Sequence, residues 1–351
     1  MKAYVLHGIN DLQLEDVEIP KLEPSQVLVK VKAAGICGSD IPRIYRTGAH
    51  KHPLIPGHEF CGQVVETGSE ADKTWNGKKV GIFPLIPCGQ CKPCSNGQFE
   101  MCRNYNYLGS RCNGGFAEYV AVPQKNLIEL SENVTYEQGA MLEPMAVAVH
   151  AMRRVTLNES DYVVVCGLGT IGLMLTMFLM EKGIKNILVI GNKDFQKSQI
   201  ENMGIGSDRY CDSRSVDVGK WILEATGGNG ADAFFECVGK NETFSWAVDY
   251  TAPAGKVVLV GNPASDMSLD KNTYWKVLRN QLKLYGTWNS SFTHEEDDDW
   301  HYVIERLRDN KIHPEKFISH SFALEDLETG MHIMRDKTED YVKIMGINTC
   351  K

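Results

Sequence analysis

The chain lacks any apolar run of the roughly 18 residues that would suggest a membrane span. It also lacks an excess of basic charge. Its 37 Lys and Arg stand against 45 Asp and Glu, a net charge of −8, which argues against broad binding to nucleic acid while leaving room for a local basic patch. No internal repeat and no low-complexity block occurs. The opening Met1-Lys2-Ala3-Tyr4-Val5 reads as a strand and not as a secretory segment, so a reducing cytoplasm is the expected home. At 351 residues the chain has room for two domains.

Against these absences stand 11 cysteines, an odd number. Cys88, Cys91, Cys94 and Cys102 fall in one short run with the spacing C-x2-C-x2-C-x7-C. Four thiolates close a tetrahedral shell around one Zn²⁺ and leave no position for substrate, so the run predicts a structural zinc. Iron–sulfur clusters also take four cysteines, though at other common spacings. Of the rest, Cys61, Cys112, Cys166, Cys211, Cys237 and Cys350 show no framework spacing and read as free thiols acting as small hydrophobes.

Two textures divide the chain. Up to about residue 150, short β-type runs are broken by Gly and Pro: Gln26–Ala33, Gly62–Glu66, Lys79–Phe83 and Phe116–Val122. From about residue 155, short apolar strands alternate with helices. Strands are expected at Tyr162–Cys166, Ile187–Ile190, Ala233–Glu236, Lys256–Val260 and Leu282–Tyr285, with helices at Ile171–Lys182 and Phe195–Met203 ended by Gly183 and Gly204. That alternation implies a parallel sheet covered on both faces. The last 60 or so residues return to mixed texture and are expected to rejoin the first domain. The acidic run Glu295–Asp299 reads as a solvated helix start.

Gly167-Leu168-Gly169-Thr170-Ile171-Gly172 follows a strand and opens a helix, the context in which a GxGxxG motif signals a dinucleotide. Gly167 permits the tight turn, Gly169 lets the backbone approach a pyrophosphate, and Gly172 lets the helix pack on the strand. The helix N-terminus then offers N–H groups to the phosphates. An NAD site usually carries an acid at the end of the next strand, on the ribose 2′-hydroxyl. Here that strand ends in Gly191-Asn192-Lys193, where no carboxylate repels a 2′-phosphate and Lys193 and Asn192 offer donors. NADP is therefore favoured over NAD, unless Asp194 takes the acid's place.

A second set of donors is scattered: Cys37, His58, Glu59 and Glu143. Each alone has a plain alternative, a core thiol, a buried imidazole or a charge at a helix start. Together, thiolate, imidazole and carboxylate can hold Zn²⁺ with a fourth position open, as catalytic zinc requires. Glu59 adjoins a ligand and binds directly or through water. Asp40 is placed to accept from His58, and Ser39 to take a proton from an alcohol and pass it on.

The segments Gly35–Asp40, Gly57-His58-Glu59, the four-cysteine run, Gly114–Tyr119, Glu143-Pro144 and Gly167–Gly172 together resemble the zinc-dependent medium-chain alcohol dehydrogenase family. Glu143 resembles its polyol and threonine branch, where classical members carry Cys. The resemblance implies a Rossmann doubly wound parallel sheet, residues 153–288, inserted into a GroES-like β-barrel catalytic domain, residues 1–152 and 289–351. It also implies two zincs per chain and a homodimer or homotetramer. The expected substrate is a secondary alcohol of a polyol or, from the segments Cys37–Ile44, Gly48–His50, Pro84–Cys88 and Leu108–Arg111, a polyol phosphate.

Pro42 and Arg43 stand where many relatives carry a relay His. Arg43, Arg46, His50, Lys51 and His52 form a basic loop near Cys37 that suits a phosphate or is merely solvated. Asn289 and Trp288 follow the last strand as further substrate candidates. The alternatives are a sorbitol, threonine or simple secondary alcohol dehydrogenase, and a crystallin-like NADP-binding protein without activity.

Overall fold

The computed structural model describes residues 1–348; Cys350 lies outside them. The chain forms two compact units, Met1–Ala146 with Ser290–Lys351, and Val147–Asn289. The boundary after residue 152 that the resemblance implies falls inside one helix, Leu142–Arg153, and the division comes six residues earlier, after Ala146.

The first unit is built on strand Gln26–Ile36, eleven residues with mostly buried side chains. It pairs antiparallel with Glu59–Thr67, with Tyr119–Pro123 and with Lys343–Ile347. Its register sets Gly35 opposite Glu59 and Ile36 opposite Ile344. The residues just past those strand ends, Cys37 and His58, are thereby brought side by side. The chain end therefore rejoins the first domain as one more strand of the same seven-stranded sheet. Strand Phe116–Val122 of the sequence reading begins later, at Tyr119, because Phe116 and Ala117 are held instead by loop hydrogen bonds and a bridge to Ala3.

The second unit holds six parallel strands in the order Tyr210–Asp212, Asn186–Gly191, Tyr162–Cys166, Ala231–Glu236, Thr251–Leu259 and Lys283–Gly286. This is the doubly wound order of dinucleotide-binding sheets, and the direction of winding changes beside Tyr162–Cys166. The helices Thr170–Glu181 and Asp194–Asn202 each begin one residue before their expected starts. Both end at glycines with positive φ, Gly183 at 87° and Gly204 at 88°, a conformation open to a residue without Cβ. Strand Tyr210–Asp212 was not legible in the sequence, since three residues carry no periodicity.

The acidic run differs from its reading as a solvated start. Glu295, Glu296 and Asp297 are exposed, but Asp298 and Asp299 are buried. Asp298 caps helix Asp299–Arg308 by accepting from the His301 N–H, and its other oxygen accepts from the N–H groups of Thr293 and His294. Asp299 accepts from the Ser291 N–H. Replacing Asp298 by Ala leaves buried donors unpaired and should lower stability by about 2 kcal/mol. Glu296→Ala should cost less than about 0.5 kcal/mol. Equal urea midpoints for the two variants would return the whole run to the solvated class.

Candidate active site and metal centres

The cysteine lobe is assembled by a short helix, Lys92–Ser95, and a 3-10 turn, Phe99–Met101. Its sulfurs converge: Cys91 Sγ lies 3.4 Å from Cys94 Sγ and 3.9 Å from Cys102 Sγ, and Cys88 Sγ lies 4.0 Å from Cys94 Sγ. A tetrahedron with Zn–S bonds of about 2.3 Å has edges of about 3.8 Å, so this spacing fits a four-thiolate shell. It is far from a disulfide of about 2.05 Å, and all four thiols are free. Backbone N–H groups point at the sulfurs, from Cys88 to Cys102 at 3.2 Å and from Arg103 to Cys91 at 3.5 Å. The N–H of Arg103, with that of Cys94, draws the Cys91 thiol down to about 6, a thiolate suited to a cation.

The scattered donors also converge. Cys37, His58 and Glu59 place one ligand atom each within 4.8 Å of one another. His58 and Glu59 are buried. The Nδ1 of His58 makes no hydrogen bond, although Asp40 Oδ1 stands 3.4 Å away. A half-buried thiol with a buried imidazole and carboxylate at this spacing fits a divalent zinc. Glu143 is not in that group of three. It is buried, and its Oε1 accepts from the Tyr107 hydroxyl at 3.1 Å. Burial pushes its carboxyl up to about 7, against the pull of His58. The same burial, with Glu143 beside it, raises the Tyr107 phenol.

Two buried charges are neutralised within the chain. Asp40 is fully buried; its Oδ2 accepts the Cys37 N–H at 3.0 Å and its Oδ1 lies 2.6 Å from Arg43 Nη1. Burial alone would raise the Asp40 carboxyl, but His58 and Arg43 outweigh it and hold it low. Glu59 Oε2 is joined to Lys343 Nζ in a short ion pair, both side chains being buried. Lys343 also donates to the Ile36 carbonyl at 3.2 Å. A Cβ on Gly35 would sit 2.5 Å from Glu59 Oε2, so that glycine makes the room.

Lys343 and Tyr107 were missed by sequence reasoning. A lysine inside the apolar strand Lys343–Ile347, after Val342, was the available signal for one. The other had none, being one of two tyrosines flanking Asn106. Ser39, as expected, lies at the site, its exposed hydroxyl donating to Cys37 Sγ at 3.4 Å.

The substrate candidates fare differently. Arg43 is turned to Asp40, not left open to a phosphate. His52 is also engaged: its Nε2 accepts from the Ala49 N–H, and its Nδ1 lies 3.1 Å from the Leu6 carbonyl oxygen. Arg46, His50 and Lys51 are exposed. Asn289, at φ 52°, and exposed Trp288 end the second unit, away in sequence from every donor of the first.

In the second unit, Gly167 has φ 98°, and its N–H bonds the Ile190 carbonyl at 2.9 Å. A Cβ there would lie 2.5 Å from Val238. A Cβ on Gly172 would lie 1.8 Å from the Gly167 carbonyl oxygen, so helix and turn touch directly. Gly169 is exposed with nothing within 4 Å of its Cβ position, the open approach a pyrophosphate needs. Leu168 is buried, and its carbonyl accepts from Gln196. Thr170 and Ile171 are the first two helical residues.

Glu236, buried, holds the facing loop by accepting from the N–H groups of Val238 and Gly239 and from the Thr243 hydroxyl. At Gly191 the space for a side chain is already filled: a Cβ would lie 2.7 Å from the Tyr210 hydroxyl and 2.8 Å from Gln196. Tyr210 also donates to the Lys193 carbonyl, and Gln196 accepts the Asn192 N–H. Asp194, the alternative acid, pairs with Arg214 at 2.6 Å.

Two family models match the chain, the alcohol dehydrogenase GroES-like domain over residues 23–132 and the zinc-binding dehydrogenase over residues 170–309. Galactitol 1-phosphate 5-dehydrogenase of Escherichia coli (strain K12) is 31% identical over 326 residues, 93% of this chain and 94% of that one. L-idonate 5-dehydrogenase of Vitis vinifera is 32% identical over 330 residues, 92% of this chain and 87% of that one. The crystal structure of galactitol-1-phosphate dehydrogenase from Escherichia coli superposes with a TM-score of 0.91 at 29% identity, covering 99% of this chain and 100% of that chain. That of a zinc-binding dehydrogenase from Sinorhizobium meliloti 1021 bound to NADP gives 0.89 at 27% identity, covering 99% and 98%. Likeness that runs almost end to end through both a GroES-like and a Rossmann-type unit makes this chain a member of the zinc-dependent medium-chain alcohol dehydrogenase family, in its polyol dehydrogenase branch, and thus an oxidoreductase using zinc and a nicotinamide cofactor.

Proposed function

We propose that this enzyme oxidises a secondary alcohol of a polyol or polyol phosphate, with galactitol 1-phosphate as the leading substrate and NADP favoured over NAD. The cluster of half-buried Cys37 with buried His58 and Glu59, with Glu143 held nearby by Tyr107, is the observation that carries this reading. Those four residues would hold a catalytic zinc, and Cys88, Cys91, Cys94 and Cys102 a structural one. Gly167–Gly172 would cradle the cofactor pyrophosphate, with Asn192 and Lys193 toward the adenosine ribose. Tyr210 and Gln196 fill the place of the acid at Gly191, which supports a site without a carboxylate against a 2′-phosphate. When bound, zinc supplies Lewis acidity to the substrate oxygen, and the nicotinamide accepts the hydride.

The chain's own residues hold and orient the donors and move one proton. The alcohol carbon gives up a hydride, and its hydroxyl gives up a proton, which Ser39 relays to solvent. Tyr107 keeps Glu143 directed, and Lys343 pairs with Glu59 in the interior. A crystallin-like role without turnover would tolerate decay of this cluster, yet every donor is present. Free thiols at all ten cysteines among the described residues suit the expected reducing cytoplasm, and the family suggests a homodimer or homotetramer. An unphosphorylated polyol is the second reading. It is favoured by the L-idonate dehydrogenase at a similar identity and by the pairing of Arg43 with Asp40.

Steady-state oxidation of galactitol 1-phosphate, galactitol, sorbitol and threonine, each with NAD and with NADP, tests this reading. A marked preference for the phosphorylated polyol is expected, and preference for threonine would overturn the substrate class. Cys37→Ser should abolish turnover while NADPH binding survives; full retained activity would remove the metal assignment. Lys193→Ala should lower the NADP to NAD ratio of kcat/KM by about tenfold, the loss of one hydrogen bond to a charged group. An unchanged ratio would end the argument for NADP. Lys343→Met strands the Glu59 carboxylate and should cost about 3–5 kcal/mol of stability. Adding Glu59→Gln should recover part of that loss in thermal unfolding, and additive losses would mean the two side chains do not act as a pair.

A further inference from the structure

Tyr107 belongs to a chain of rings that leads away from the metal cluster. Its ring stands edge-on to the His58 imidazole, with centroids 5.8 Å apart at 63°. Tyr105 stands edge-on to Tyr107 in turn, at 6.2 Å and 73°. Over Tyr105 lies the guanidinium of Arg111, its Cζ 4.4 Å from the ring centroid.

The loop that carries Arg111 is tightly built. The Tyr107 carbonyl accepts the N–H groups of Ser110, Arg111 and Cys112, and the Gly109 N–H bonds back to the Cys112 carbonyl at 2.7 Å. Gly109 has φ +78°, and a Cβ there would lie 2.3 Å from the Gly57 carbonyl oxygen and 2.8 Å from the His58 nitrogen. The loop therefore rests on the backbone of the zinc-ligand candidate His58, and the position of Arg111 is set relative to that ligand.

Charge separates Arg111 from its neighbours. Arg43 is neutralised by buried Asp40 at 2.6 Å. Among the described residues no carboxylate pairs with Arg111, whose recorded partner is the Tyr105 ring. Burial pushes the Cys112 thiol up to about 11, against the pull of the Lys51 ammonium. A guanidinium stacked on an aromatic face keeps its N–H edge available, and that edge matches two phosphate oxygens at once.

We infer that Arg111, stacked on Tyr105, is the specificity-determining residue for a phosphate monoester at the far end of the polyol chain. This inference rests on the reading of the site as one for polyols and their phosphates. It replaces Arg43, the candidate singled out by proximity to Cys37, with a residue that has no carboxylate partner among the described residues.

The test compares wild type, Arg111→Ala and Arg111→Lys in the zinc-loaded enzyme. The quantity read is the ratio of kcat/KM for galactitol 1-phosphate to that for galactitol. Arg111→Ala should lower the ratio by about ten- to a hundredfold, the loss of hydrogen bonds to a charged group, and Arg111→Lys should restore part of it. A wild-type preference that survives Arg111→Ala would overturn the assignment while leaving the proposed function in place. Without a wild-type preference the phosphorylated polyol gives way to the unphosphorylated one as the leading substrate, and inorganic phosphate decides the inference separately. Competitive inhibition of polyol oxidation by phosphate, relieved in Arg111→Ala, would uphold an anion site at Arg111; inhibition equal in both proteins, or none, would overturn it.

Discussion

A carboxylate removed from water needs a cation, and in this fold Glu59 has Lys343. The pair joins residues 284 apart in sequence, and it forms because both flank the strand Gln26–Ile36. Glu59 pairs opposite Gly35, and Lys343 precedes Ile344, which pairs opposite Ile36. Gly35, lacking a Cβ, leaves the space in which the two charges meet. Cys37 and His58 lie one residue beyond the same register. A slip by one residue would turn Glu59 and Lys343 to opposite faces and disperse the donor cluster.

Around that pair, the fold decides which charges are already answered. Asp40 holds Arg43 and the Cys37 backbone, so a buried carboxylate orders the loop that carries the thiol. Glu143 accepts from the Tyr107 hydroxyl, and burial pushes its carboxyl up to about 7 against the pull of His58. Arg111 is stacked on a ring, without a carboxylate partner among the described residues.

The second unit follows a different logic, in which nearly all the relevant geometry is local. Gly167, Gly169 and Gly172 meet three distinct demands within six residues: a positive φ, an open approach and direct contact between helix and turn. Glu236 adds a support from elsewhere, holding Val238 where it touches the Gly167 turn. The packed end of Asn186–Gly191 shows a similar mixture. The missing acid at Gly191 was visible in the chain, but its replacement by Tyr210 and Gln196 came from a neighbouring strand and helix.

What could be read from the sequence was what depends on neighbours in the chain. The cysteine spacing, the glycine turn, the strands Tyr162–Cys166 and Asn186–Gly191 and the helix-ending glycines all follow from local periodicity and conformational preference. The three-residue strand Tyr210–Asp212 did not, because so short a segment has no pattern. The scattered donors were legible only as residue types whose chemistry is coherent. Their meeting, the neutralising of Arg43, the burial of Asp298 and Asp299, and the roles of Lys343, Tyr107 and Arg111 were decided by tertiary structure. Compensation of charge in a dry interior depends on which distant strands and loops pack together, and no spacing along the chain carries that distance.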